Sequence, residues 1–236
     1  PAEAARTRHQ ATVAALRRRD APLPRVIAEI KHRSPSAGLI RERRPGGVAA
    51  LARAYATAGA AAVSVLADGP GFGGTPLDVR RAAASIEAPV LFKGFVLDPV
   101  QLDLAASLGA RLVLLLVRCL DDAALVALVR GAEARGLVPV VEAADAEELA
   151  RAVATGARVV GVNARDLRSF RVDPELARRC LEATPDDRVA VYMSGVRSAE
   201  DLRRVAGGRA DAVLVGEGLM RAEDPGARLS AWLHDA

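Results

Sequence analysis

The sequence predicts an α/β fold, a closed (β/α)8 TIM barrel with an extra N-terminal helix, on three observations. Short runs rich in Val, Leu and Ile alternate with longer Ala-, Leu- and Arg-rich segments of helical period from Arg25 onward. The alternation recurs at roughly 20–30 residues, about the length of one βα unit. Eight of the short runs read as strands, and near-continuous apolar strands joined by helices belong to a parallel sheet covered on both faces.

Residues 1–24 are expected to form an amphipathic helical extension lying under or across a barrel that spans 25–236. Because no linker composition interrupts the chain, 1–236 reads as one domain. The expected strands are RVIAEIK (25–31), AAVSVLAD (61–68), VLFKGF (90–95), RLVLLLV (111–117), VPVVEAA (138–144), RVVGVN (158–163), VAVYMSG (189–195) and AVLVGE (212–217). Between them lie helical stretches such as VAALARAYATAG, PVQLDLAASLG, DDAALVALVRGAEARG, DAEELARAVATG and SAEDLRRVAGG. Several open on Asp or Ser, which cap free N–H groups, and close at Gly, which ends a helix without steric cost. An open doubly wound sheet would need a glycine-rich phosphate turn after its first strand. Neither HRSPSAG nor FGGT supplies GxGxxG, so the barrel is preferred.

With 51% hydrophobic and 26% charged residues, the 236-residue chain excludes disorder. The net charge of +4 comes with arginines scattered along helices and only 3% aromatic residues. Stacking platforms are therefore scarce, which argues against nucleic acid, whereas a positive bias suits an anionic small molecule. Cys119 and Cys180 read as core thiols, and His9, His32 and His234 have no metal-ligand spacing, so no metal is expected. The first residues lack an apolar signal core, and no run reaches the roughly 18 apolar residues of a spanning helix. A cytoplasmic location with no membrane partner is expected.

Barrels of this kind place their chemistry at the carboxyl ends of the strands. There the sequence sets Glu29 and Lys31 on the first strand, Lys93 on the third, Glu142 on the fifth, and Asn163 with Arg165 on the sixth. Side chains alternate along a strand, so Ile27, Glu29 and Lys31 share one face and Val26, Ala28 and Ile30 the other. The apolar face must meet the helices, which turns the charges inward. The same alternation sends Leu91, Lys93 and Phe95, Val140 and Glu142, Gly161 and Asn163 into the barrel. A partly desolvated pocket with two lysines and two carboxylates is expected to move their pKa values toward neutrality. Ser194 and Gly195 after the seventh strand, and Gly216 and Glu217 after the eighth, read as a phosphate site.

The stretches IAEIKHRSPSAG, SVLAD with FGGT, FKGFVLDPVQ, LLLV, VVEAADAEEL, GVNARDL, SGVRSAED and VLVGEGLM span nearly the whole chain in order, and on them it resembles the indole-3-glycerol phosphate synthase family. The resemblance implies a cofactor-free, metal-free lyase of tryptophan biosynthesis. It would convert 1-(2-carboxyphenylamino)-1-deoxyribulose 5-phosphate into indole-3-glycerol phosphate, releasing carbon dioxide and water. It implies Lys93 as the acid of ring closure, with Lys31 and Glu142 as the acid and base of decarboxylation and dehydration. Glu29 would orient the lysines, and Asn163 and Arg165 would place the anthranilate side. Ser34, in a loop that closes over the substrate, joins Ser194, Gly195, Gly216 and the backbone of Glu217 in binding. A monomer or weak homo-oligomer is expected.

Two positions depart from the family pattern. Gly94 follows Lys93 where the family usually has an acidic residue, and Met193 precedes Ser194 where it usually has Glu. Gly94 would face outward; Met193 would face inward, and losing a carboxylate there should lower the pKa of a neighbouring lysine. Other readings therefore stand beside the synthase: a divergent or engineered member with altered or lost activity that keeps its phosphate site, and a phosphosugar isomerase using Glu29 and Glu142.

Overall fold

The computed structural model describes residues 2–166 and 171–234. Eight apolar runs form parallel strands: β1 (Arg25–Ile30), β2 (Ala62–Leu66), β3 (Val90–Lys93), β4 (Leu112–Leu116), β5 (Val138–Ala143), β6 (Val159–Asn163), β7 (Val189–Met193) and β8 (Ala212–Val215). Each pairs with the next, and β8 returns to β1 through Ile27 opposite Leu214, which closes the barrel. The outer layer consists of α2 (Gly47–Thr57), α3 (Pro76–Ala83), α4 (Pro99–Ser107), α5 (Asp122–Ala134), α6 (Ala146–Ala154), α7 (Pro174–Glu182) and α8 (Ala199–Ala206). The short α9 (Glu217–Met220) and α10 (Pro225–His234) complete it, and α1 (Ala2–Leu16) precedes the barrel.

The helix ends follow the residues the sequence places there. Asp98 caps α4 by accepting from Val100 N–H, while Gln101 accepts from the Asp98 N–H in return. Asp121, Asp145, Asp173 and Ser198 accept from first-turn N–H groups of α5, α6, α7 and α8. Gly109 and Gly136 leave α4 and α5 with φ of 84° and 73°, a left-handed turn that a side chain would oppose.

Period-two alternation divides the core in two. Val26, Ala28 and Ile30 pack outward with Tyr55 and the helices, whereas Ile27, Leu91, Leu112, Val140, Val191 and Met193 fill the barrel interior. Leu16, at the end of α1, joins that inner cluster and closes its amino-terminal end. Beneath β8, Asp211 accepts from Arg209 at 2.8 Å, Ala190 N–H at 2.9 Å and Arg18 N–H at 3.2 Å, with Arg17 3.5 Å away.

Two expectations are corrected. Cys119 is exposed, because the chain leaves β4 through a 3-10 turn (Val117–Cys119) instead of continuing as strand; only Cys180 is buried. Phe95 does not point into the barrel: β3 ends at Lys93, alternation lapses, and the ring lies at the rim, 44% exposed, with its centroid 6.5 Å from that of Phe72. No helix among the described residues is long and apolar enough to cross a membrane.

Candidate functional site at the carboxyl ends of the strands

Glu29 is the hub of the mouth. It is 1% exposed, its Oε1 lies 2.9 Å from Lys31 Nζ, and its Oε2 lies 3.5 Å from Lys93 Nζ. A carboxylate so deep would be forbidding unless cations paid back its lost hydration. Burial pushes its pKa up, but the two ammonium groups outweigh this and hold it at about 2. Lys93 shifts the other way: burial favours its neutral form, and the charges of Glu29 and Glu142 override that and raise its pKa. For Glu29 and Lys93 the expected drift toward neutrality is therefore reversed. Each buried charge has its counter-charge within reach, so both stay ionised.

Across the mouth, Asn163 Nδ2 donates to Glu142 Oε1 at 2.7 Å, and Asn163 Oδ1 accepts from Arg165 N–H at 2.9 Å. Glu142 stands opposite Gly161 in the β5–β6 register, which sets it beside Asn163 two residues on. Its second oxygen, Oε2, is buried with no hydrogen-bond partner among the described residues. Such an acceptor is costly to leave without a donor.

After β7, Ser194 takes φ of 72°, the only non-glycine residue with positive φ among the described residues, and Gly195 follows at 87°. After β8, Gly216 answers to space: a Cβ there would stand 2.7 Å from Glu29 Oε1. Met193 lies over Gly161, where a Cβ would meet its methyl at 2.8 Å, and it is buried. Gly94 would aim a Cβ at Phe92 and Ala67, away from the lysines.

One cavity at the mouth is lined by Glu29, Lys31, Lys93, Glu142, Asn163 and Arg165, and also by Ser34, Met193, Ser194, Gly195, Gly216 and Glu217. Every site residue expected from the sequence is there. A second hollow opens beside it, shares Lys31, Lys93, Glu142 and Asn163, and adds an apolar wall of Pro35, Leu66, Phe72, Phe95, Leu114 and Leu116. The mouth thus has a charged half and an apolar half, with both lysines on the boundary. Ser34 reaches it because Arg33–Ser34 pairs antiparallel with Gly38–Leu39, and Ser34 Oγ accepts from Ala37 N–H at 3.1 Å. This hairpin is anchored beyond its end. Arg41 donates to Met220 O, Ala222 O and Glu223 O, and Arg43 makes a two-pronged pair with the buried Asp78.

A larger cleft lies outside the barrel between α7 and α8. Its Arg178 and Arg204 are paired with carboxylates of their own helices. Among the described residues no group of three or more His, Cys, Asp or Glu could hold a metal ion. Leu167, the last residue of GVNARDL, lies outside the described residues.

Sequence reasoning missed Ser64, whose Oγ donates to Glu29 Oε2 at 3.3 Å, and the apolar wall. It also passed over a signal in the composition. Lys31 and Lys93 are the only lysines in the chain; the other 31 of its 33 basic residues are arginine. Arginine stays protonated in proteins, whereas lysine can give up a proton, and both lysines line this one mouth.

The chain matches the family model described as indole-3-glycerol phosphate synthase over residues 2–231. It is 48% identical over 205 residues to indole-3-glycerol phosphate synthase 2 of Streptomyces coelicolor, covering 86% of this chain and 78% of the relative. With the indole-3-glycerol phosphate synthase of Opitutus terrae it shares 43% identity over 235 residues, 97% of this chain and 86% of the relative. Among solved structures, 3-hexulose-6-phosphate synthase from Salmonella typhimurium superposes with a TM-score of 0.70 at 15% identity, covering 89% of this chain and 99% of that one. That likeness shows the shared barrel.

Proposed function

The chain belongs to the indole-3-glycerol phosphate synthase family, and from that premise we propose how its own residues carry out the reaction. The activity is that of a carboxy-lyase of tryptophan biosynthesis acting on a phosphorylated small molecule, 1-(2-carboxyphenylamino)-1-deoxyribulose 5-phosphate. The phenyl ring lies against Phe72, Phe95, Leu114 and Leu116, and the phosphate against Ser194, Gly195, Gly216 and the Glu217 backbone. Lys31, Lys93 and Glu142 then face the ribulose carbons, because they line both halves of the mouth.

Ring closure begins as the ring carbon bearing the carboxylate attacks the ribulose carbonyl. Negative charge builds on that oxygen, and Lys93, kept protonated by Glu29 and Glu142, donates the proton it needs. Loss of carbon dioxide returns the electron pair to the ring. Lys31 protonates the departing hydroxyl, and Glu142 Oε2 takes the proton released as the indole forms. Asn163 holds Glu142 Oε1, which leaves Oε2 as the oxygen without a donor among the described residues. Arg165 faces the carboxylate of the anthranilate side.

The observation that carries this reading is the pairing, in one cavity, of a protonated lysine with a carboxylate oxygen that has no hydrogen-bond partner among the described residues. Incubation with the carboxyphenylamino-deoxyribulose phosphate, followed by indole fluorescence, tests it. Product formed at a rate proportional to enzyme supports the reading, and none at high enzyme concentration overturns it. The same measurement separates it from a decayed site, which would bind the substrate in a calorimeter without turnover.

A further inference from the structure

We infer that Ser64 is a positioning residue for the reaction: through Glu29 it fixes Lys93 in the orientation from which the proton is given. Ser64 is the one polar residue of the β2 run AVSVL and is fully buried. In the β1–β2 register it stands directly opposite Glu29. Its hydroxyl donates to Glu29 Oε2 at 3.3 Å, the same oxygen that faces Lys93 at 3.5 Å.

The carboxylate is confined on its other side as well. Oε1 is engaged by Lys31 at 2.9 Å and leaves no room for a side chain at Gly216, where a Cβ would stand 2.7 Å from it. The shorter contact with Lys31 pulls the carboxylate one way, and Ser64 is the neutral donor that holds Oε2 toward Lys93. Without the hydroxyl nothing but Lys93 itself opposes that pull. The plane of Glu29 turns toward Lys31, the longer ion pair lengthens further, and Lys93 loses the partner that outweighs its burial. A serine placed only to fill space would have no such reach.

The inference rests on the reading of Lys93 as proton donor, and one arm of its test is independent of activity. Ser64→Ala is expected to lower kcat about tenfold, the scale of a hydrogen bond to a charged group, with KM changed less than about twofold. The alkaline limb of the kcat profile should move down by about half a pH unit. Because the chain has two lysines, 13C-lysine NMR resolves both, and the Lys93 signal should titrate at lower pH in the variant by a similar amount. Ser64→Cys, close in volume and a weaker donor, should shift both readouts in the same direction, and it decides the question should the alanine variant not fold. A Lys93 titration and kcat profile that match the wild type overturn the inference, as does a fall in melting temperature alone. A shifted titration in a protein without turnover would uphold the Ser64 linkage while removing the proposed function.

Discussion

The two ends of the barrel each bury a carboxylate between two cations, and they differ in what is left over. At the amino-terminal end Asp211 receives Arg209, Arg17 and the N–H groups of Ala190 and Arg18, below a floor closed by Leu16. At the carboxyl end Glu29 receives Lys31, Lys93 and Ser64, but Lys93 stands off at 3.5 Å and Glu142 Oε2 has no hydrogen-bond partner among the described residues. The lower cluster is made of arginines, fixed in charge and rich in donors, and backbone N–H groups complete its carboxylate, although Arg209 Nε is buried without a hydrogen bond. The upper one uses both of the chain's lysines and leaves capacity open. A buried ionic cluster serves stability when the chain completes it and chemistry when a ligand must.

Substitutions at each end should separate these roles. The largest effect is expected from Lys93→Ala, which removes the proton donor: kcat should fall about a thousandfold in the indole fluorescence assay. Its melting temperature should hold, because Lys31 still balances Glu29. Asp211→Ala should do the opposite. Loss of the acceptor strands the backbone N–H of Ala190 and costs about 3 kcal/mol in urea unfolding, with kcat per folded molecule unchanged.

Acid sharpens the contrast within the upper cluster. The folded pKa of Glu29 is depressed from 4.5 to about 2. Its contribution is therefore complete above about pH 4.5 and is lost as pH falls toward 2. That amounts to about 3 kcal/mol from this one group. In Glu29→Gln the fall in stability over that window should be smaller by this amount, as measured by denaturant midpoints at successive pH values. The smallest effect is expected from Met193→Glu. The lysines already share Glu29, and at this buried position the lost hydration of a further carboxylate offsets much of its attraction to them, so kcat/KM should change by less than about fivefold. A gain of a hundredfold would instead mark the present site as impaired.

Much of this architecture was legible in the chain. Eight apolar runs with capped helices between them required a closed parallel sheet, and alternation alone put Glu29, Lys93, Glu142 and Asn163 on the inner face. The reading failed where alternation stopped. Past Lys93 the strand ends, so Phe95 sits at the rim; past Leu116 the chain turns, so Cys119 is exposed.

What the sequence determined by itself was therefore local: strand period, helix caps, and the direction in which each charge faces. Its use of lysine at only two positions also belongs there, although its meaning emerged once both were found in one cavity. Tertiary structure alone decided the pairings. The register that sets Ser64 against Glu29, the closure that brings Gly216 against its carboxylate, and the left-handed backbone of Ser194 depend on residues far apart in the chain. So does the sign of the pKa shifts, because burial and counter-charge act in opposite directions and only distances say which prevails.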